Sequence, residues 1–207
     1  MSDARADAFA RLGAATLGES GGQPMAPRVK AAWSGARISA RAYPVVCAPG
    51  DNLAIHVAVA EAPRGSVLVA SVGAEPEHGY WGEVLTTGAE ARGIVGLVID
   101  GGVRDVGALE AHGFPVFSSM IALRGATKQH PGQVGGPALV GDVLVHQGDW
   151  IVADADGVTV VPHSKLDDVL VAGQAREAKE AGFFEALRAG KTTIDLLGLD
   201  TSPIARD

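Results

Sequence analysis

Cysteine is nearly absent: the 207-residue chain has one, Cys47. That excludes an internal disulfide framework and a cysteine-rich zinc site. Aromatic residues make up only 5%, too few to supply stacking platforms for single-stranded nucleic acid in quantity. Positive charge is in deficit as well, with a formal net charge of −7 and a sequence pI near 5.3. The basic footprint that non-specific nucleic-acid binding needs is therefore missing. No apolar stretch approaches the roughly 20 residues of a membrane helix, and no positively charged start leads into an apolar run as in a signal peptide. The expectation is a soluble, cytoplasmic protein with neither nucleic acid nor membrane as a partner. Gly-x-x-x-x-Gly-Lys and His-Glu-x-x-His are also lacking, and the match of Gly18-Glu19-Ser20-Gly21-Gly22 to Gly-x-Ser-x-Gly follows an expected helix where a nucleophile elbow needs a strand. A serine-hydrolase elbow, a phosphate loop and a zinc-protease helix are excluded with them.

What is abundant is glycine, 28 residues, within 47% hydrophobic and 20% charged content. This is the balance of an ordinary globular chain with tight turns and small-residue packing. The length suits one domain spanning 1–207. Residues 3–17 read as an N-terminal helix built on Phe9 and Leu12, and 37–46 as a strand. Pro49-Gly50-Asp51-Asn52 is a turn offering Asp51 as an N-cap to a helix over 53–60. A regular beat follows: strand 66–72, helix 81–91, strand 94–99, helix 105–112, strand 114–117. Such alternation implies βαβ units and a central parallel sheet. Beyond a Gly/Pro loop at 125–137 come β-like segments at 138–145, 150–153 and 158–161. One long amphipathic helix over 165–189 and a short one over 194–199 complete the pattern.

Two segments carry candidate chemistry. In Gly96-Leu97-Val98-Ile99-Asp100-Gly101-Gly102-Val103-Arg104-Asp105, a buried strand is expected to end, the two glycines to turn the chain, and opposite charges to precede a helix. Ligands in open α/β sheets bind beyond the carboxyl ends of the strands. Arg104 could grip a carboxylate there with its planar fork, and Asp105 could hold a divalent cation; the plainer alternative makes Asp105 a helix cap. Gly79-Tyr80-Trp81-Gly82-Glu83-Val84-Leu85 occupies the corresponding turn one strand earlier. Its free helix-start N–H groups would attract a carboxylate or phosphate, and Glu83 is a candidate base or outer partner of the metal. The six histidines show no metal-ligand spacing. His112 reads as a helix C-terminal residue, Cys47 as a small core residue, and Asp154–Asp156 as a hairpin turn.

These fragments, with Pro49-Gly50-Asp51-Asn52, Ala91-Arg92-Gly93-Ile94-Val95-Gly96, Gly113-Phe114-Pro115-Val116-Phe117 and the run from Gly148 to Val158, resemble one family in order and spacing from about Pro49 to Leu187. It is the class II 4-hydroxy-4-methyl-2-oxoglutarate/4-carboxy-4-hydroxy-2-oxoadipate aldolases, which also includes the regulator of ribonuclease E activity A. The resemblance implies an α/β fold, an α-β-β-α sandwich similar to the swivelling phosphohistidine domain, assembled as a homotrimer or homohexamer. It also implies that the pyruvoyl moiety lies on the backbone of Gly82, Glu83, Val84 and Leu85, that Arg104 grips substrate, and that Asp105 ligates Mg²⁺ or Mn²⁺. The aldolase branch has an acid twenty intervening residues before Arg-Asp, a position that Glu83 fills where aspartate is more usual. A neighbour's C-terminal-helix glutamate near the metal would be Glu180, with Glu177 and Glu185 close by. The family's Asp-Ala-Leu near the end of its first helix is replaced by Leu17-Gly18-Glu19-Ser20, which leaves substrate identity open.

The implied reaction is metal-dependent retro-aldol cleavage of a 4-hydroxy-2-oxo diacid to pyruvate and a 2-oxo acid, with accompanying oxaloacetate decarboxylation. Arg104 and the cation would stabilise the developing enolate. Water on the metal, relayed through Glu83, is the candidate acceptor of the C4 hydroxyl proton. No lysine lies near these motifs in sequence, which disfavours a Schiff base. The alternative is a non-catalytic regulator that binds a ribonuclease, a role in which an acid at position 83 has no use.

Overall fold

The computed structural model describes residues 5–205. Residues 3 and 4 of the expected first helix lie outside them. In chain order the elements open with α1 (Arg5–Glu19), β1 (Gln23–Pro24), β2 (Lys30–Ala31), β3 (Ile38–Val46), α2 (Leu53–Glu61) and β4 (Ser66–Ser71). Next come β5 (Gly79–Trp81), α3 (Glu83–Arg92), β6 (Gly96–Val103), α4 (Val106–His112), β7 (Val116–Ile121) and β8 (Gln133–Val134). The last are β9 (Ala138–Val140), β10 (Val143–Val145), β11 (Trp150–Asp154), β12 (Gly157–Val161), a 3₁₀ turn, α5 (Leu166–Arg188) and α6 (Thr193–Leu197).

The main sheet runs β1-β12-β11-β3-β4-β6-β7-β2, with β5 added to β6 and β8 to β3; β9 and β10 form a separate hairpin. The expected parallel centre is there, since β3, β4, β6 and β7 pair in parallel. The outer strands are antiparallel, so the sheet is mixed and the fold mixed α/β. β4 explains why its sequence is apolar at every position. Val67 and Val69 face an inner core shared with Val140 and Val145 of the hairpin, while Leu68 and Ala70 face an outer core under α2 and α3. A strand covered on both faces gains nothing from alternation. α1 and α5 cover β11 through Phe9, Leu17, Trp150 and Val169. α1 is broken at Gly13, whose φ of 78° is left-handed, and the next N–H, of Ala14, donates to the Asp154 carboxylate at 2.9 Å.

Two expectations shift. Gly101 and Gly102 do not turn the chain; they belong to β6, which runs on to Val103. Gly102 is needed for close packing instead, because a Cβ there would stand 2.5 Å from the His78 carbonyl oxygen and 2.6 Å from the Ala122 Cβ. Likewise Trp81 does not open α3. It ends β5, stacks on Phe114 at 5.8 Å between ring centroids, and donates from Nε1 to Thr86 Oγ1, fixing where α3 begins. Cys47 is buried, which pushes its thiol up to about 12. His112 ends α4, and Asp154 begins the turn between β11 and β12, accepting the Asp156 N–H at 3.0 Å.

Candidate functional site

The parallel strands deliver β6 and the start of α3 to one edge of the sheet, as strand ends do in open α/β folds. A cavity of about 250 Å³ opens there, lined by Asn52, His56, Gly82, Arg104, Asp105 and Lys128 among others. Val84 and Leu85 also line it.

Asp105 follows β6 in a left-handed backbone conformation, φ 58° and ψ 35°. Aspartate tolerates that region better than most residues, yet it is a strained place for any side chain with a Cβ. The strain turns the carboxylate away from its own helix: it makes no capping hydrogen bond to α4. Oδ2 instead accepts the Glu83 backbone N–H at 3.1 Å, across at the start of α3. This decides against the helix-cap reading of Asp105. The remaining oxygen, Oδ1, is left for another partner, and 42% of the side chain is exposed.

Glycine makes the approach feasible. A Cβ on Gly82 would stand 2.3 Å from Asp105 Oδ2 and 3.2 Å from Arg104 Cγ, and one on Gly79 would stand 3.0 Å from Arg104 Cδ. The Arg104 side chain therefore runs along a track of bare backbone, its Nε 3.8 Å from Asp105 Oδ2. Gly82 is the N-cap of α3 and offers no side-chain cap. The Val84 and Leu85 N–H groups, next in the first turn, lack intrahelical partners by helix geometry and can receive an anion.

Glu83 is placed differently from what its spacing suggests. Its carboxylate lies 3.6 Å from His112 Nε2, whose Nδ1 is 2.9 Å from Glu90. Glu90 chiefly, and Glu83 with it, raises the pKa of that imidazole. The Glu83 side chain is thus turned toward α4 and is not among those lining the cavity, whereas Gly82, Val84, Leu85, Arg104 and Asp105 are brought together. On α5, Glu177 pairs with Arg11 and Glu180 with Arg176 of the same chain. Glu185 is exposed.

Sequence reasoning missed the other wall. Lys128, 23 or more positions from either motif in sequence, lines the cavity, so a lysine is near the site after all. It is held there by Asp51, a buried carboxylate that accepts from the Leu53 N–H, the Thr127 hydroxyl and the Gln129 and His130 N–H groups. Burial alone would raise the Asp51 pKa, but these donors outweigh it and hold the group well below the usual carboxylate range. Asp51 caps α2 from one residue outside the N-cap, Asn52, and ties that helix to the 127–130 loop. Asn52 donates to the Tyr80 carbonyl at 2.8 Å. Its Oδ1 and His56 Nε2 are buried without hydrogen-bond partners among the described residues. Burial, and then Lys128, lowers the pKa of His56, so the imidazole is neutral near pH 7. The spacing of Asn52 and His56, one helical turn apart, was the available signal.

No group of three or more His, Cys, Asp or Glu side chains among the described residues could enclose a metal. A single carboxylate with an oxygen to spare nevertheless fits Mg²⁺ or Mn²⁺, since hard cations of this kind keep several waters and use one or two carboxylates plus substrate.

A family model described as Aldolase/RraA matches residues 2–160. The chain belongs to the RraA-like family. A relative in Halalkalibacterium halodurans, provisionally named a 4-hydroxy-4-methyl-2-oxoglutarate aldolase, is 35% identical over 136 residues. The match takes in 66% of this chain and 65% of that protein, so the chain spans just under two thirds of its relative's length. An uncharacterized protein from Pseudomonas syringae has a similar structure, with a TM-score of 0.83 at 28% identity over 93% of this chain and 92% of that one. Streptomyces coelicolor RraAS2, described as an unusual member of the RNase ES inhibitor RraA protein family, aligns at a TM-score of 0.76 and 25% identity, covering 91% of this chain and 100% of its own. No helix among the described residues is long and apolar enough to cross a membrane.

Proposed function

We propose that this RraA-like chain is a class II pyruvate aldolase that cleaves a 4-hydroxy-2-oxo diacid, of the 4-hydroxy-4-methyl-2-oxoglutarate type, and also decarboxylates oxaloacetate. The observation that carries this reading is the convergence of Arg104, Asp105 and the bare α3 N-terminus on one face of the cavity, with Lys128 on another. Asp105 would hold Mg²⁺ or Mn²⁺, which when bound supplies Lewis-acid polarisation of a 2-oxo acid. Each other part has work that this chain's own groups can do. The Val84 and Leu85 N–H groups orient the C1 carboxylate. Arg104 balances the negative charge that grows on the C2 oxygen as the C3–C4 bond breaks and its electron pair moves into the enolate, a role that preorganised donors fill well. Lys128 offers a point charge for the distal carboxylate. The C4 hydroxyl gives its proton to solvent water as the second 2-oxo acid departs, and C3 of the enolate takes a proton back from solvent to give pyruvate. When oxaloacetate is bound instead, carbon dioxide leaves from the same position and the same enolate results.

A homotrimer or homohexamer in the cytoplasm fits the reading. In the second half of α5 and in α6, Phe184, Ile194 and Leu197 are exposed, a surface suited to a neighbouring copy, and Glu185 is exposed beside them. The deciding assay couples pyruvate release to lactate dehydrogenase, using oxaloacetate and a 4-hydroxy-2-oxo diacid, each with chelator and with Mg²⁺ restored. Turnover that returns with the cation supports the reading; turnover undiminished in excess chelator overturns it. The presence of Lys128 adds a second arm. Borohydride should leave the protein active and its mass unchanged in the presence of pyruvate, whereas a covalent adduct on Lys128 would establish a Schiff-base route instead. A regulator reading draws on RraAS2, and it wins if neither substrate turns over while the chain binds and inhibits a ribonuclease.

A further inference from the structure

A larger cavity, of about 480 Å³, opens at the opposite edge of the sheet, where the parallel strands begin. Its floor is β3. Ile38, Ala40 and Ala42 belong to the inner core, and the alternating residues Arg37, Ser39, Arg41 and Tyr43 take the other face and line the hollow. Trp150 forms one wall, and the turn between α2 and β4, with Arg64, forms the other. Three guanidinium groups thus surround one concavity in a protein whose formal net charge is −7. No aspartate or glutamate among the described residues lines it.

The arginines are built in rather than adrift. Arg41 lies 5.2 Å over the Trp150 ring and donates to the Gly148 carbonyl at 3.2 Å. Arg64 donates to the Arg92 carbonyl at 3.3 Å and packs so closely on Gly93 that a Cβ there would stand 2.8 Å from its Cζ. Arg37 has no hydrogen-bond or ion-pair partner among the described residues. Arg37 and Arg64 bring no anionic partner of their own among the described residues, and the guanidinium fork matches planar carboxylate and phosphate oxygens. The volume falls inside the roughly 300–1,000 Å³ of small-molecule sites, and Trp150, Tyr43 and Val95 supply apolar surface between the charges.

We propose that this cavity binds a small organic anion, an apolar body bearing carboxylate or phosphate groups, at a site separate from the Arg104–Asp105 cavity. The proposal does not depend on the aldolase reading. Isophthalate and phenyl phosphate offer the two anion types on similar bodies, so calorimetric titration of each distinguishes the source of the charge. Arg104→Ala serves as the background, to silence the carboxylate grip of the other cavity. One of the two probes should bind that protein, and adding Arg37→Gln with Arg64→Gln should weaken it about a hundredfold, roughly tenfold for each charge-assisted hydrogen bond removed. Arg37→Gln alone, at an exposed position, should weaken it about tenfold and keeps the test alive if the combined variant does not fold. Three results would overturn the proposal: neither probe binds, the glutamine variants bind as well as the parent, or the substitutions change the oligomer's size, which would make the hollow a subunit seat.

Discussion

Gly82→Ala tests the position of the Asp105 carboxylate without changing any charged group at the site. Gly82 has φ −167° and ψ −167°, extended backbone that alanine adopts freely, so the substitution meets no conformational penalty of its own. Its new Cβ, however, would stand 2.3 Å from Asp105 Oδ2, about 1 Å inside ordinary contact. The carboxylate must retreat by that distance or swing away and surrender the Glu83 N–H. A displacement of about 1 Å at a reacting group is enough to cost roughly 10² in rate. The charge-assisted hydrogen bond is worth no more than about 1.5 kcal/mol here, the low end of its range, because the carboxylate is partly open to water. kcat/KM for pyruvate release should therefore fall about a hundredfold, and the thermal shift produced by Mn²⁺ should disappear. The apo melting temperature should drop by only about 2–4 °C, the equivalent of about 1 kcal/mol in a chain of this size. Gly107→Ala is the control, since a Cβ there meets nothing within 4 Å and α4 gains a better helix former. The reasoning is refuted if Gly82→Ala keeps kcat/KM within about threefold and still responds to Mn²⁺, which would mean that the carboxylate's position is not used.

Asp105→Asn retains an oxygen for the Glu83 N–H and a residue type that accepts the left-handed backbone, so its melting curve should match the parent while turnover and the Mn²⁺ response collapse; preserved turnover would contradict the metal role. Arg104→Lys keeps the charge but loses the fork, and steady-state kinetics should record kcat and kcat/KM falling together by roughly 10²–10³. Asp51→Asn should cost about 2–3 kcal/mol in urea unfolding near pH 7, because an amide cannot satisfy all the donors converging there. The Asp51 pKa is depressed on folding, so its contribution is complete above the unfolded carboxylate pKa of about 4 and is lost as the pH falls below it. The parent's stability should decline through that range and the variant's should decline less, and parallel curves would show that Asp51 is not the group responsible.

Arg104 and Asp105 were legible because the chain writes them side by side, at the end of an apolar run long enough to be a covered strand. The place of Gly82 was legible for a related reason, since it lies one strand earlier at the same edge, but its part in admitting the Asp105 carboxylate was not. The direction of side chains was not. Glu83 sits at a suggestive spacing, but on the first turn of α3 it projects toward α4, where the His112 imidazole receives it. Lys128 was invisible because the loop carrying it has no periodicity, and its position depends on Asp51, 77 residues away in sequence. Gly101-Gly102 was misread for the opposite reason. Glycine pairs favour turns locally, and only the packing of His78 and Ala122 against the strand calls for them in β6.

The left-handed backbone at Asp105 makes glycine a replacement that costs little stability. Glycine would relieve the torsional strain, about 1 kcal/mol by the cost of placing a Cβ in that region, which roughly offsets the loss of the carboxylate's bond to the Glu83 N–H. Selection for heat resistance alone should therefore tolerate Asp105→Gly, giving proteins that melt close to the parent and no longer turn over. Natural sequences that hold aspartate there would be under selection for what the carboxylate does.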